Sequence, residues 1–159
     1  MSTPDLIFKV DFPPTDLSSN ARVHWSVKAR AAAMYKEVCY YLALSARNRW
    51  ELATGYKWEP IEKAVVSLVF LVADKRERDV DNLVAMAKPL LDAIQCPRSS
   101  KEYGARLIVA DDAQHMELTC RVEQAAKFGV SVTIRESGSY GGRDEHQTTP
   151  HLPAVLRTS

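Results

Sequence analysis

The stretch VVSLVFLVADKRERDVDNL, residues 65–83, decides how this chain is read. Its first half is β-branched and almost continuously apolar, the pattern of a strand buried on both faces, so it is expected to be central in a sheet. The charged loop DKRER follows at residues 74–78. Beyond it, Leu83, Met86, Ala87, Leu90 and Leu91 recur at helical spacing over residues 80–94. Pro89 lies inside that pattern. An interior proline removes a backbone hydrogen bond and costs about 3 kcal/mol, so the helix is expected to kink there or to form two pieces.

Upstream, residues 6–12 (LIFKVDF) alternate as a strand does, and Pro13-Pro14 ends it, because proline donates nothing to a ladder. Residues 25–50 contain no Gly or Pro and are rich in Ala, Leu, Tyr and Lys. They read as one long helix with Met34, Val38, Tyr41, Leu42 and Ser45 near one face. Downstream of residue 94, a loop leads to a short strand at 107–110, a turn at Asp111-Asp112, and strands at about 116–122 and 130–135. The order β-α-β-α-β-β-β predicts a mixed α/β (α+β) domain: a small mixed sheet packed by two main helices. The domain is expected over residues 1–136. From residue 137 onward Gly, Ser, Thr and Pro dominate, which predicts a flexible tail over 137–159.

Hydrophobic residues make up 46% of the 159, enough to bury a core. The longest apolar run is far short of the ~20 residues that cross a bilayer, and MSTPDLIFKV carries Asp5 where an export signal wants basic charge. The expectation is a cytoplasmic protein with no membrane partner. Three widely spaced cysteines, Cys39, Cys96 and Cys120, fit reduced thiols. The net charge of +1 gives nucleic-acid binding no support by itself, but residues 20–50 hold six basic side chains against the single acid Glu37. Such a local patch suits phosphate contact or a solvated helix face.

The chemistry sits at the loop-to-helix passage. Asp79 and Asp81 are two apart there, and two neighbouring carboxylates raise each other's pKa unless a cation neutralises them. Asp111-Asp112 offers a third acid, provided the short strand before it lies beside the strand ending at Asp74. Three carboxylates without His or Cys suit a hard cation, Mg²⁺ or Mn²⁺. Such ions bind phosphates, activate water and neutralise a leaving oxygen. The bland alternatives are helix capping by Asp79 and turn formation by Asp111-Asp112.

The motifs NARVHW (residues 20–25), RDVDNL (78–83), KPLLDAI (88–94) and DDAQ (111–114) together resemble the RusA family of Holliday junction resolvases, phage and prophage type, in order over residues 5–135. The resemblance implies a small α/β homodimer using Mg²⁺ to cut four-way DNA junctions by paired symmetric nicks, leaving 5′-phosphate and 3′-hydroxyl ends. Carried over by motif, the metal-binding acids are Asp79, Asp81 and Asp112, with Asp111 assisting or shaping the turn. The family's functional lysine matches Lys88, seven residues after Asp81 and four before Asp92. Lys88 therefore meets phosphate or pairs with Asp92 at i+4. Arg22, Lys28, Arg30, Lys75, Arg76 and Arg78 are the expected DNA-backbone contacts. Trp25 is expected as a core anchor, His24 as a hydrogen-bonded structural residue and His115 as strand surface. Two other readings use the same residues: a flap or general DNA nuclease, and a branched-DNA-binding protein that does not cut. A third is an interaction domain whose acids only cap a helix.

Overall fold

A computed structural model describes residues 4–138. Ser137 and Gly138 form a turn, and the rest of the expected tail lies outside the described residues. Strand β1 (Leu6–Val10) is followed by a short 3₁₀ turn (Thr15–Leu17), the long helix α1 (Trp25–Thr54) and strand β2 (Ala64–Val72). Helices α2 (Val80–Met86) and α3 (Lys88–Ile94) come next, then β3 (Met116–Gln124) and β4 (Gly129–Glu136). The sheet order is β1-β4-β2-β3. β4 runs antiparallel to β1 and to β2, whereas β2 and β3 are parallel, Ala64 opposite Met116 through Val72 opposite Gln124. A parallel pair needs a long crossover, and α2, α3 and residues 95–115 supply it. This is the mixed sheet with packed helices that the sequence predicts.

β2 is central, as expected. Ala64, Val66, Leu68, Phe70 and Val72 on one face are all nearly or fully buried, while Ser67, Val69 and Leu71 on the other face are only half-buried. Helix α1 begins at His24, whose Nδ1 accepts from the Ser26 amide at 3.2 Å, and stops at Gly55, which takes a left-handed φ of 75°. The residues α1 buries are Tyr35, Cys39, Ala43 and Ala46. This corrects the expected core stripe: Met34, Val38, Tyr41 and Ser45 are exposed. Close packing against α3 and β1 favours the small side chains. Trp25 is also corrected: it is 75% exposed and anchors no core.

The expected break near Pro89 is present, and it makes two helices. Ala87 (φ −85°, ψ 0°) closes α2, and Pro89 occupies the first turn of α3, where its missing N–H costs nothing.

The expected strand at 107–110 does not join the sheet. Both edges of β2 are already taken, by β4 and β3. Instead Ile108 makes isolated parallel bridges with Ile61 and Gln95, and Leu107 N–H donates to the Ile94 carbonyl at 2.8 Å. Ala105, Leu107 and Ile108 are fully buried, and Trp58 Nε1 donates to the Leu107 carbonyl at 3.2 Å. The segment is a plug under the end of α3. Its apolar run serves burial, and its amides donate to the last carbonyls of α3, at Ala93 and Ile94, and to Ile61, not to a strand of the sheet. No helix among the described residues is long and apolar enough to cross a membrane.

Candidate functional site

β2 hands the chain to the charged loop at Asp74. There Arg78 clamps Asp74 with both terminal nitrogens, Nη1 to Oδ1 at 2.6 Å and Nη2 to Oδ2 at 3.0 Å. The guanidinium beside Asp74 holds its carboxyl below the usual carboxylate range. Arg78 also lies over the Phe128 ring, 5.5 Å from its centroid. Arg78 is therefore committed within the protein, while Lys75 and Arg76 remain exposed.

Asp79 caps α2: its Oδ1 accepts from the Asp81 amide at 3.0 Å. Asp81 follows in the first turn, and both carboxylates are exposed. Asn82 does something that no local pattern announces. Its Oδ1 accepts from the Ser19 amide and the Ser19 hydroxyl, each at 2.8 Å, and its Nδ2 donates to Ser18 Oγ at 3.1 Å. The second motif is thereby stapled to the two serines that precede the first, Ser19 lying 63 positions upstream of Asn82. Lys28 Nζ closes the same corner on the Ser18 carbonyl at 3.4 Å. The result is an open groove of about 630 Å³ whose walls include Ser18, Asn20, Arg76, Asp79 and Asn82, together with the edge-to-face pair Phe12 and Phe128.

A separate polar cluster sits at the other end of the crossover. Lys88 Nζ bonds Asp92 at 2.9 Å, as the i+4 spacing predicts, and also bonds Asp111, which the spacing does not predict. The Asp111 side chain is only 6% exposed, with Arg98 Nη2 at 3.7 Å from its other oxygen. Buried Gln95 completes the knot: its Oε1 accepts from the Asp111 amide at 3.2 Å and its Nε2 donates to Asp92 at 3.3 Å. Burial pulls the Lys88 ammonium down, but the hydrogen bonds it donates to Asp111 and Asp92 outweigh that and leave its pKa raised.

Asp112 points elsewhere. Its Oδ1 accepts from the amides of Gln114 (2.9 Å) and His115 (3.1 Å) and lies 2.6 Å from His115 Nδ1. The bond with His115 holds the Asp112 carboxyl below its ordinary range.

The positions of the three expected metal acids follow from β2. The His115 carbonyl accepts from Ala64 N–H at 2.8 Å, so the Asp112 turn stands where β2 begins. Asp74 and the Asp79 groove stand where it ends. Asp79 and Asp81 are brought together, and Asp112 is not brought to them. Among the described residues no group of three or more His, Cys, Asp or Glu side chains is arranged to hold a metal ion. The exposed Asp79–Asp81 pair does fit the donor chemistry of Mg²⁺, which commonly takes one or two carboxylates and completes its shell with water and phosphate oxygens.

Of the expected cations, Arg22 and Arg30 are exposed beside the groove corner or on α1, Lys28 is drawn onto Ser18, and Arg47 leaves the basic patch to donate to the Ala105 carbonyl at 2.8 Å. Cys39 and Cys120 are buried, which pushes their thiols up to about 12 and about 11. Sequence reasoning missed the Asn82 staple and the burial of Asp111, since both depend on partners distant in the chain.

The chain matches no protein-family model and no curated protein.

Proposed function

We propose that the protein is a Mg²⁺-dependent endodeoxyribonuclease of the RusA type that cuts branched DNA, four-way junctions above all, and works as a homodimer. The observation that carries this reading is the shared groove: Asp79, Arg76, Asn82, the Ser18 it holds and Asn20 line one open cleft. A phosphodiester backbone laid there meets cations and carboxylates together.

Asp79 and Asp81 would hold the Mg²⁺, with Mn²⁺ as a substitute. The ion supplies charge stabilisation and water activation at the scissile phosphate. Arg76 and Lys75 hold the strand through phosphate contacts, which carry no base information. Asn82 keeps the 18–20 wall in place, and Arg22 extends the basic rim beyond it. Lys88 stands in the second cluster and acts there by fixing Asp111.

The test is a synthetic mobile four-way junction incubated with the protein, with and without Mg²⁺, and the nicks mapped. Asp81→Asn is expected to abolish nicking and to keep junction binding. Nicking by that variant at the wild-type rate, or nicking in EDTA, overturns the assignment. Equal cutting of flap and linear duplex would make it a general nuclease.

One observation favours a second reading. Asp112 stands at the opposite end of β2 from the Asp79–Asp81 pair, as suits a protein that binds branches without cutting them. That reading predicts salt-sensitive junction binding and no nicks at any Mg²⁺ concentration.

A further inference from the structure

The long helix carries a second apolar face that is largely exposed, with only Ala31 packed against the core. Its core side holds Tyr35, Cys39, Ala43 and Ala46. Turned about 125° away run Val27, Ala31, Met34, Val38, Tyr41, Ser45, Asn48 and Leu52. Their spacing alternates four and three without a break, which is the a/d seam of two helices packed along their length. Among the described residues, five of the eleven exposed large hydrophobics fall on this seam: Val27, Met34, Val38, Tyr41 and Leu52. Leu52 is 86% exposed and Met34 63%. Scattered single hydrophobics need no explanation, whereas a row at this spacing, interrupted by Ser45 and Asn48, marks an interaction surface.

We infer that this seam is the surface on which a second copy of the chain docks, α1 against α1 in antiparallel array about a twofold axis. An isologous contact needs a surface that complements itself, and this one does so when reversed. In that register Val38 meets Tyr41, Met34 meets Ser45, Ala31 meets Asn48 and Val27 meets Leu52, so large residues face small or medium ones. The flanking charges select the same direction. Arg30 of one copy lies beside Glu51 of the other, twice by symmetry, and Glu51 keeps one carboxylate oxygen for it while the other accepts from the Trp58 amide at 2.9 Å. A parallel pairing offers no opposite charges along its flanks. On the other flank Lys28 and Arg49 approach the same end, and Lys28 is drawn aside by the Ser18 carbonyl at 3.4 Å. The half-buried face of the sheet is the competing surface, with Ile7 62% exposed on it.

The inference concerns the surface of the proposed dimer and needs no DNA to test, so its failure is separable from that of the nuclease reading. Sedimentation equilibrium of the full chain, at up to about 100 μM to lie well above a micromolar Kd, is expected to give twice the 17.8 kDa chain mass. Met34→Glu with Tyr41→Glu is expected to give the single mass with unchanged far-UV circular dichroism, and Ile7→Glu to leave the double mass. Mixing Met34→Cys with Ser45→Cys chains under mild oxidant is expected to cross-link them, and Met34→Cys alone is not. A wild-type monomer, a dimer that survives the double Glu variant, or one broken by Ile7→Glu overturns the proposal. Efficient self-cross-linking of Met34→Cys overturns the antiparallel array.

Discussion

Lys88 binds Asp111, 23 positions further along the chain, and through it fastens the crossover loop to the start of α3. The carboxylate is nearly buried and the ammonium half-exposed. The pair therefore joins two elements that have no ladder in common, with Asp92 and Gln95 holding the remaining polar atoms.

Removing the cation leaves Asp111 short of its main partner, with only Arg98 near. An under-satisfied buried polar group costs about 1–3 kcal/mol. Lys88→Met is expected to destabilise by that amount in urea unfolding, and Asp111→Asn by less, since an amide keeps the shape and loses the buried charge.

Asn82→Ala should free the segment at Ser18 and Ser19. Several hydrogen bonds end on this one side chain, at a net worth of about 0.5–1.5 kcal/mol for each good one. The expected result is a loss of about 1–2 kcal/mol and faster exchange of the Ser19 amide, read by hydrogen exchange. Unchanged protection at Ser19 would mean that the staple does not hold the groove wall.

The pH dependence follows from Asp112. Its folded pKa is depressed by the bond with His115, so its contribution is present above the ordinary carboxylate value and is lost as the pH falls through the lowered one. Asp74, depressed by Arg78, acts in the same direction. The loosening is expected below about pH 4, at the two ends of β2. His115→Ala should move the Asp112 titration, followed by carbon NMR, back up toward the ordinary value.

Gly104 stands where a side chain does not fit. A Cβ there would lie 2.2 Å from the Gln95 carbonyl oxygen and 2.9 Å from the Pro97 ring. The backbone must shift, so Gly104→Ala is expected to cost about 1–3 kcal/mol in thermal or urea unfolding and to disturb the Gln95–Asp111 contact.

Much of the fold is legible locally. The apolar run of β2, the prolines after β1, the Gly-free span of α1 and the proline at the start of α3 each act within a few residues, so the elements fall close to where periodicity puts them. The residues 107–110 misled because a short buried run satisfies a strand and a loop plug equally well. The core face of α1 misled because closeness to α3 and β1 selects Cys39, Ala43 and Ala46 beside Tyr35, while Met34, Val38 and Tyr41 are left outside.

By itself the sequence determined the element types, the central place of β2, the pairing of Asp79 with Asp81 at a helix start and the i+4 contact of Lys88 with Asp92. Those are properties of spacing along one element. Only the tertiary structure decided that Asn82 grips Ser19, that Asp111 is the buried partner of Lys88, and that Asp112 turns to His115 and is not grouped with the other two acids. A parallel β2–β3 pair carries the chain back to the start of β2 before β3 can begin, and no local pattern encodes that return.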